Sequence, residues 1–175
     1  MDANVTSEGE REAISNAWQI HQAICDWTGQ VDTKASFASA IEVAIIGAVV
    51  VLAGDGHQLS QLHGCMQLTL FWIGLSLLIL SVIAVLSVVC PQIRGQENLR
   101  NERPYNFIFF GHVKHWEPDE LARKLLVESP LAALSRQLVT MSKIAWRKHR
   151  MLQLSILGTV AGSGFVAVAA LTEHL

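Results

Sequence analysis

The chain has 175 residues, of which 51% are hydrophobic and 16% are charged. This composition is too apolar for an ordinary small soluble domain. The 15 acidic residues outnumber the 13 lysines and arginines, the formal net charge is −2, and no stretch of sequence forms an unbroken basic face. A nucleic-acid polymer is therefore not expected as a partner.

The first predicted element is an amphipathic helix from about residue 8 to Thr28, within an N-terminal segment that comprises residues 1–34. Ser7 and Glu10 have the spacing of a capping box, and apolar or aromatic side chains then recur every three or four residues. Gly29 is expected to loosen the helix before the membrane. The N-terminus lacks the basic start and early apolar core of a signal peptide, so the first span is expected to remain in the chain. The recurring positions are Ile14, Trp18, His21, Ile24, Trp27 and Val31.

Three apolar segments follow, and each reaches the roughly 20 residues with which a helix crosses a bilayer. They are predicted to be transmembrane helices at residues 35–54, 66–90 and 151–171. The second contains no charged side chain, whereas the first contains Glu42. The third has a stretch rich in glycine and serine, which is typical of close helix packing in membranes. The alternative is a soluble helical bundle with an apolar core.

The lysines and arginines are distributed asymmetrically around these spans. Arg11 and Lys34 precede the first span, and the other eleven lie between the second and third. The positive-inside rule therefore predicts a multi-pass membrane protein with its C-terminus on the outer side of the membrane. The predicted cytoplasmic parts are residues 1–34 and 91–150, and the predicted outer parts are the loop 55–65 and the tail 172–175.

The long insert at residues 91–150 begins with a polar stretch that is predicted to be irregular. A proline in a first helical turn, beside acidic residues, predicts a short helix from residue 118 to about 128. Because no glycine or proline occurs between Pro130 and Gly158, one helix is expected to run from Pro130 through the third span. The predicted fold is an all-α membrane protein with three transmembrane helices, an N-terminal amphipathic helix and a helical cytoplasmic insert.

Two faces of the first predicted span differ in character: one has small residues suited to helix packing, and the other has a carboxylate that needs a polar environment. At about 100° per residue, Glu42 lies on the other side of the helix from a stripe of small residues. A carboxylate at this depth is costly unless it is protonated, paired or facing water, so Glu42 is a candidate for gating or for a polar helix contact. The alternative is a neutral carboxyl group that bonds a serine or a backbone carbonyl. The candidates for helix packing are Ala40, Ala44 and Ala48 in the first span and Gly158 and Gly162 in the third.

No arrangement of side chains predicts catalysis or a bound metal. His112 and His115 are three residues apart, but no further Cys, His or carboxylate pair completes a metal site of recognised spacing. Phosphate-binding loops, dinucleotide-binding motifs and the serine-hydrolase elbow are not found in the sequence. We expect neither an enzyme nor a cofactor.

Three motifs carry a resemblance to a known family. WTGQVDTKASFASA leads into the first span, FFGHV lies in the insert, and SKIAWRKHR leads into the last span. Together and in this order, they resemble the Pycsar transmembrane effectors. In that family, a pyrimidine cyclase activated by phage infection makes cyclic CMP or cyclic UMP, and the effector then impairs the inner membrane. The resemblance implies an abortive-infection protein that is functionally linked to such a cyclase.

The resemblance also implies a nucleotide sensor in residues 91–150. An arginine can bind a cyclic phosphate through charge-assisted hydrogen bonds, and an aromatic ring can stack on a pyrimidine. The alternative for each arginine is a solvated charge at the membrane surface. The candidate ligand-binding residues are Lys34, Arg100, Arg103, Tyr105, Phe110, His112, Trp116 and Lys143.

Three spans are too few to enclose a sizeable pore, so the active form is expected to be a homo-oligomer in the lipid bilayer. Two other functions remain open. A holin-like membrane toxin would act without a ligand, although it has little need of a long cytoplasmic insert. An accessory subunit of a transporter would use Glu42 as its coupling residue. Which cyclic nucleotide is bound, or whether a cyclic oligonucleotide replaces it, does not follow from the sequence.

Overall fold

The computed structural model describes residues 2–54, 59, 64–90 and 96–172. Within these ranges the chain is 89% helical and has no strand. Three of its helices are long and apolar enough to cross a membrane, which confirms the predicted fold class. Most of the predicted outer loop and the last residues of the predicted outer tail lie outside the described residues.

The first helix, α1 (Asp2–Leu52), is continuous, where the sequence predicted an interruption near Gly29. A single glycine inside a helix costs only about 1 kcal/mol relative to alanine. The hydroxyl groups of Thr28 and Thr33 donate hydrogen bonds to carbonyl oxygens one turn earlier, at 2.7 and 3.0 Å. These side chains are therefore accommodated within the helix, and nothing in this stretch ends it.

The remaining helices are α2 (Cys65–Val89), α3 (Gln96–Asn101), α4 (Phe110–Val113), α5 (Pro118–Val127) and α6 (Leu131–Leu171). The structure confirms the short helix that begins at Pro118 and the long helix that includes the third span. The stretch predicted to be irregular contains α3 and a 3-10 turn at Arg103–Tyr105. An acidic residue in the first turn of α3 and a basic residue in its last turn favour a helix there through the helix dipole.

The chain divides into two compact units. The span unit comprises Gly29–Pro91 and Arg147–Leu175, and the polar unit comprises Met1–Thr28 and Gln92–Trp146. Helices α1 and α6 each contribute residues to both units. The cavity described below belongs to the polar unit, and the buried carboxylate belongs to the span unit.

In the span unit, α1 and α6 run parallel to each other and antiparallel to α2. Two buried clusters show this order, because residue numbers rise along α1 and α6 and fall along α2 from one cluster to the other. At the first cluster, Lys148 donates to the Asp32 carboxylate at 2.6 Å, which joins α6 to α1. The first cluster contains Val31, Ala35, Val85, Val88 and Leu152, and the second contains Val49, Leu59, Leu78, Val166 and Ala169.

Glycines allow α2 and α6 to approach closely. A Cβ atom on Gly162 would lie 2.8 Å from the carbonyl oxygen of Gly74, and one on Gly74 would lie 2.7 Å from that of Gly162. A Cβ atom on Gly158 would lie 3.1 Å from the Cβ of Ser81. Both glycines of the third-span GxxxG motif thus face α2. By contrast, Ala40, Ala44 and Ala48 are exposed on α1.

Candidate ligand cavity and buried carboxylate

The polar unit contains a cavity of about 1100 Å³. The part of its wall that the structure describes combines aromatic rings, two histidines, amides, hydroxyl groups and a single Lys/Arg side chain. Helix α1 contributes one edge, the chain from Glu102 to His112 a second, and the first turns of α6 a third. The lining residues are His21, Cys25, Glu102, Tyr105, Asn106, Ile108, Phe109, Phe110, His112, Ser135, Arg136, Gln137, Val139, Thr140, Met141 and Ile144.

The FFGH motif at residues 109–112 forms a compact part of this wall. The Phe109 ring packs against Phe110 at 4.4 Å between centroids and meets the His112 ring edge-on at 5.6 Å. A Cβ atom on residue 111 would lie 2.4 Å from the Phe109 ring. Gly111 is therefore what allows the ring to fold back over the backbone of its own motif.

His112 is 5% exposed and is the only one of the cavity's two histidines that is buried. Its Nε2 atom lies 3.4 Å from Oε2 of Glu102, while its Nδ1 atom is buried without a hydrogen-bond partner. A hydrogen on Nε2 would be donated to the carboxylate, which leaves Nδ1 as an acceptor. A buried acceptor without a partner is unusual in a folded protein.

Among the lining residues that the structure describes, Arg136 is the only lysine or arginine, and it was not among the predicted ligand-binding residues. Its Nη2 donates to the carbonyl oxygen of Tyr105 and its Nε donates to Oδ1 of Asn106 at 3.4 Å. These bonds fix the guanidinium against the chain next to the FFGH motif. Arg136 is 30 residues from Asn106 in sequence, so motif reading could not connect the two.

The structure places three of the eight predicted ligand-binding residues at the cavity and five away from it. Tyr105, Phe110 and His112 line the cavity, and the other five do not. Lys34 belongs to the span unit. The remaining four lie elsewhere in the polar unit: Arg100, Arg103, Trp116 and Lys143.

Arg103 makes structural contacts within the polar unit. Its guanidinium donates to the Glu120 carboxylate at 2.6 Å and to the carbonyl oxygen of His115 at 2.7 Å, and it stacks over the Trp116 ring at 4.8 Å from the centroid. The sequence named Arg103 and Trp116 as candidate ligand-binding residues, and the structure places these two side chains in contact with each other. The charged partner of Arg103 is Glu120 of α5.

His115 lies beside this cluster in a cationic environment. Partial burial of the ring, followed by repulsion from Lys114, Arg100, Arg103 and His112, lowers the pKa of His115 below its ordinary value. The ring therefore resists protonation in the folded protein. No group of three or more His, Cys, Asp and Glu side chains that could hold a metal ion occurs among the described residues.

The span unit contains a second polar site, at Glu42. This side chain is 2% exposed, and its Oε1 accepts hydrogen bonds from the hydroxyl groups of Ser155 and, at 2.7 Å, Thr159. The Thr159 hydroxyl also lies 3.1 Å from that of Ser81 on α2. The Glu42 carboxyl group thus contacts α6, and a chain of hydroxyl groups extends from it to α2.

The fold and these sites define a helical membrane protein with three spans and a polar unit that contains an aromatic-walled cavity. A family described as the Pycsar effector protein domain matches residues 16–173. This match covers far more than half of the chain, so the protein belongs to the Pycsar effector family and has the role of an antiphage effector. No curated protein and no solved structure matches the chain. The resemblance found in the sequence is thereby confirmed.

Proposed function

We propose that the protein binds a cyclic pyrimidine mononucleotide, cyclic CMP or cyclic UMP, in the cavity of the polar unit and then impairs the inner membrane. The observation that carries this proposal is the composition of the cavity wall. Among the described residues, one arginine and a set of aromatic rings line a volume of about 1100 Å³. That volume lies just above the range of about 300–1,000 Å³ that is common for small-molecule sites.

Arg136 is the group that binds the cyclic phosphate. The ligand carries one negative charge, and a guanidinium has five N–H donors. The bonds to Tyr105 and Asn106 use two of these donors and hold the group in place. The others remain for phosphate oxygens, and because the guanidinium is already oriented, little side-chain entropy is lost on binding.

The base is bound by the FFGH wall. Tyr105 and Phe110 are exposed aromatic side chains at the cavity, and either ring can stack on a pyrimidine. His112 lies in the same wall, and Glu102 orients its imidazole ring.

Ligand binding is transmitted through the two longest helices. His21 and Cys25 of α1 line the cavity together with the first turns of α6, and both helices contribute to the span unit. A nucleotide that contacts both therefore biases their arrangement. Three spans do not enclose a sizeable pore, so the active form is a homo-oligomer, and the exposed stripe of Ala40, Ala44 and Ala48 offers a surface for close packing between copies. The polar unit faces the cytoplasm, where the cyclase makes the ligand.

Calorimetric titration of the purified full-length protein with cyclic CMP, cyclic UMP and cyclic AMP tests the proposal. We expect one of the two pyrimidine nucleotides to bind more tightly than cyclic AMP. Arg136→Gln should weaken that binding roughly ten- to hundredfold, since hydrogen bonds to a charged group contribute about 1.5–3 kcal/mol. Arg123→Gln is the matched control, because this exposed arginine of α5 does not line the cavity.

Binding that is unchanged in Arg136→Gln would show that the nucleotide lies elsewhere. Failure of the wild-type protein to bind either pyrimidine nucleotide would remove the sensor function altogether. The ligand-independent membrane toxin or the transporter subunit would then be the better account.

A further inference from the structure

We propose that Glu42 is a proton-binding site of the span unit, and that its bound proton is required for the three helices to pack as they do in this structure. The first observation is the absence of a counter-charge. Within residues 35–52, 66–89 and 151–171, Glu42 is the only Asp, Glu, Lys, Arg or His. An ionised carboxylate here would be a single uncompensated charge at membrane depth, which is costly.

The hydrogen bonds around Glu42 are distributed unevenly between its two oxygens. The hydroxyl group of Ser155 donates to Oε1, and that of Thr159 lies 2.7 Å from the same oxygen. The Ser81 hydroxyl donates instead to the carbonyl oxygen of Leu78 at 2.8 Å. Oε2 is buried and has no hydrogen-bond partner. A buried carboxylate usually needs several donors, on both oxygens, to remain charged.

A proton on Oε2 neutralises the carboxylate without moving any of these groups. It removes the charge and leaves both hydrogen bonds to Oε1 intact. A metal cation is a poorer fit, because Glu42 is the only carboxylate among the described residues of the site and its other neighbours are neutral hydroxyl groups. The groups that face Glu42 are Ser155 and Thr159 of α6, with Ser81 of α2 beyond them, and none of these titrates near neutral pH.

The bound proton has a consequence for the packing of the spans. Glu42 belongs to α1, and its buried carboxyl group makes polar contacts with α6. Loss of the proton would put a charge into this contact. The ionised side chain would then favour water over the packed helices. Protonation would therefore stabilise the packing of the three helices, and ionisation would separate them and make the membrane permeable.

Infrared spectroscopy of the full-length protein in lipid bilayers, without nucleotide, tests the protonation directly. We expect the carbonyl band of a neutral carboxylic acid at neutral pH in the wild type. The band should vanish in Glu42→Gln and persist in Glu12→Gln, a control at an exposed residue of α1. If Glu42→Gln does not fold, the double variant Ser155→Ala with Thr159→Val should keep the band but shift it, because both donors to Oε1 are lost.

A neutral-acid band that is absent from the wild type, or that is unaffected by both sets of substitutions, would show that Glu42 is ionised and would overturn the proposal. Dye release from proteoliposomes as the pH is raised, again without nucleotide, tests whether ionisation of Glu42 separates the helices. Release should increase in the wild type and stay constant in Glu42→Gln, whereas equal release from both would contradict a closing role. Neither measurement uses a nucleotide, so the result does not depend on ligand binding in the polar unit.

Discussion

At the scale of single residues, Arg103 and Arg136 show what local sequence can and cannot predict. The FFGH motif and the nearby arginines and aromatic rings indicated the right stretch of chain. Which arginine reaches the cavity depends on a tertiary contact, because Arg103 is held by Glu120 and Trp116 while Arg136 is brought in by α6. Charge and spacing along the chain contain no information about that contact.

His115 gives a prediction at the same scale. Its lowered pKa means that the unfolded chain binds a proton at this position more readily than the folded one. The folded state therefore loses stability as the pH falls through and below the ordinary histidine value of about 6.5. We expect His115→Gln to reduce the drop in melting temperature between about pH 7.5 and pH 5.5.

The measurement is a thermal unfolding scan of the full-length protein in detergent at several pH values. His149→Gln is the control, since this histidine is exposed on α6 and does not belong to the cationic cluster around His115. A wild-type pH profile that is reproduced in His115→Gln would contradict the interpretation of the cationic cluster.

At the scale of elements, helix lengths were more predictable than helix contacts. The absence of glycine and proline between Pro130 and Gly158 correctly predicted the long α6. The expectation that Gly29 loosens the first helix was wrong, because the free-energy cost of one glycine is too small to interrupt a helix of 51 residues. The register between helices was not predictable, since a period of 3.6 residues identifies a face but not the neighbour that covers it.

Gly162 tests the packing between α2 and α6. Gly162→Ala places a methyl group 2.8 Å from the Gly74 carbonyl oxygen, so the helices must separate. We expect a loss of about 1–3 kcal/mol in the free energy of unfolding, as is typical of overpacking. Gly164→Ala is the matched control, because nothing lies within 4 Å of its Cβ position. Unfolding in denaturant measures both, and equal stability of the two variants would contradict the close approach.

At the scale of the whole molecule, the apolar blocks of the sequence predicted three spans, and the structure has three helices long and apolar enough to cross a membrane. The sequence also separated Glu42 from the stripe of small residues on the first span. It could not predict that Ser155 and Thr159 bond the carboxylate, because these residues are 113 and 117 positions away. The same holds for the cavity, which is assembled from α1, the FFGH stretch and α6.

Under the proposed function, a cyclic pyrimidine nucleotide that binds in the polar unit makes the membrane permeable. The most direct test is dye release from proteoliposomes of the full-length protein, with each nucleotide present on both sides of the bilayer. We predict rapid release with the pyrimidine nucleotide that binds, little release with cyclic AMP, and a roughly ten- to hundredfold higher nucleotide requirement in Arg136→Gln. Intact vesicles in the presence of a bound nucleotide, or the same leakage with and without it, would contradict the account.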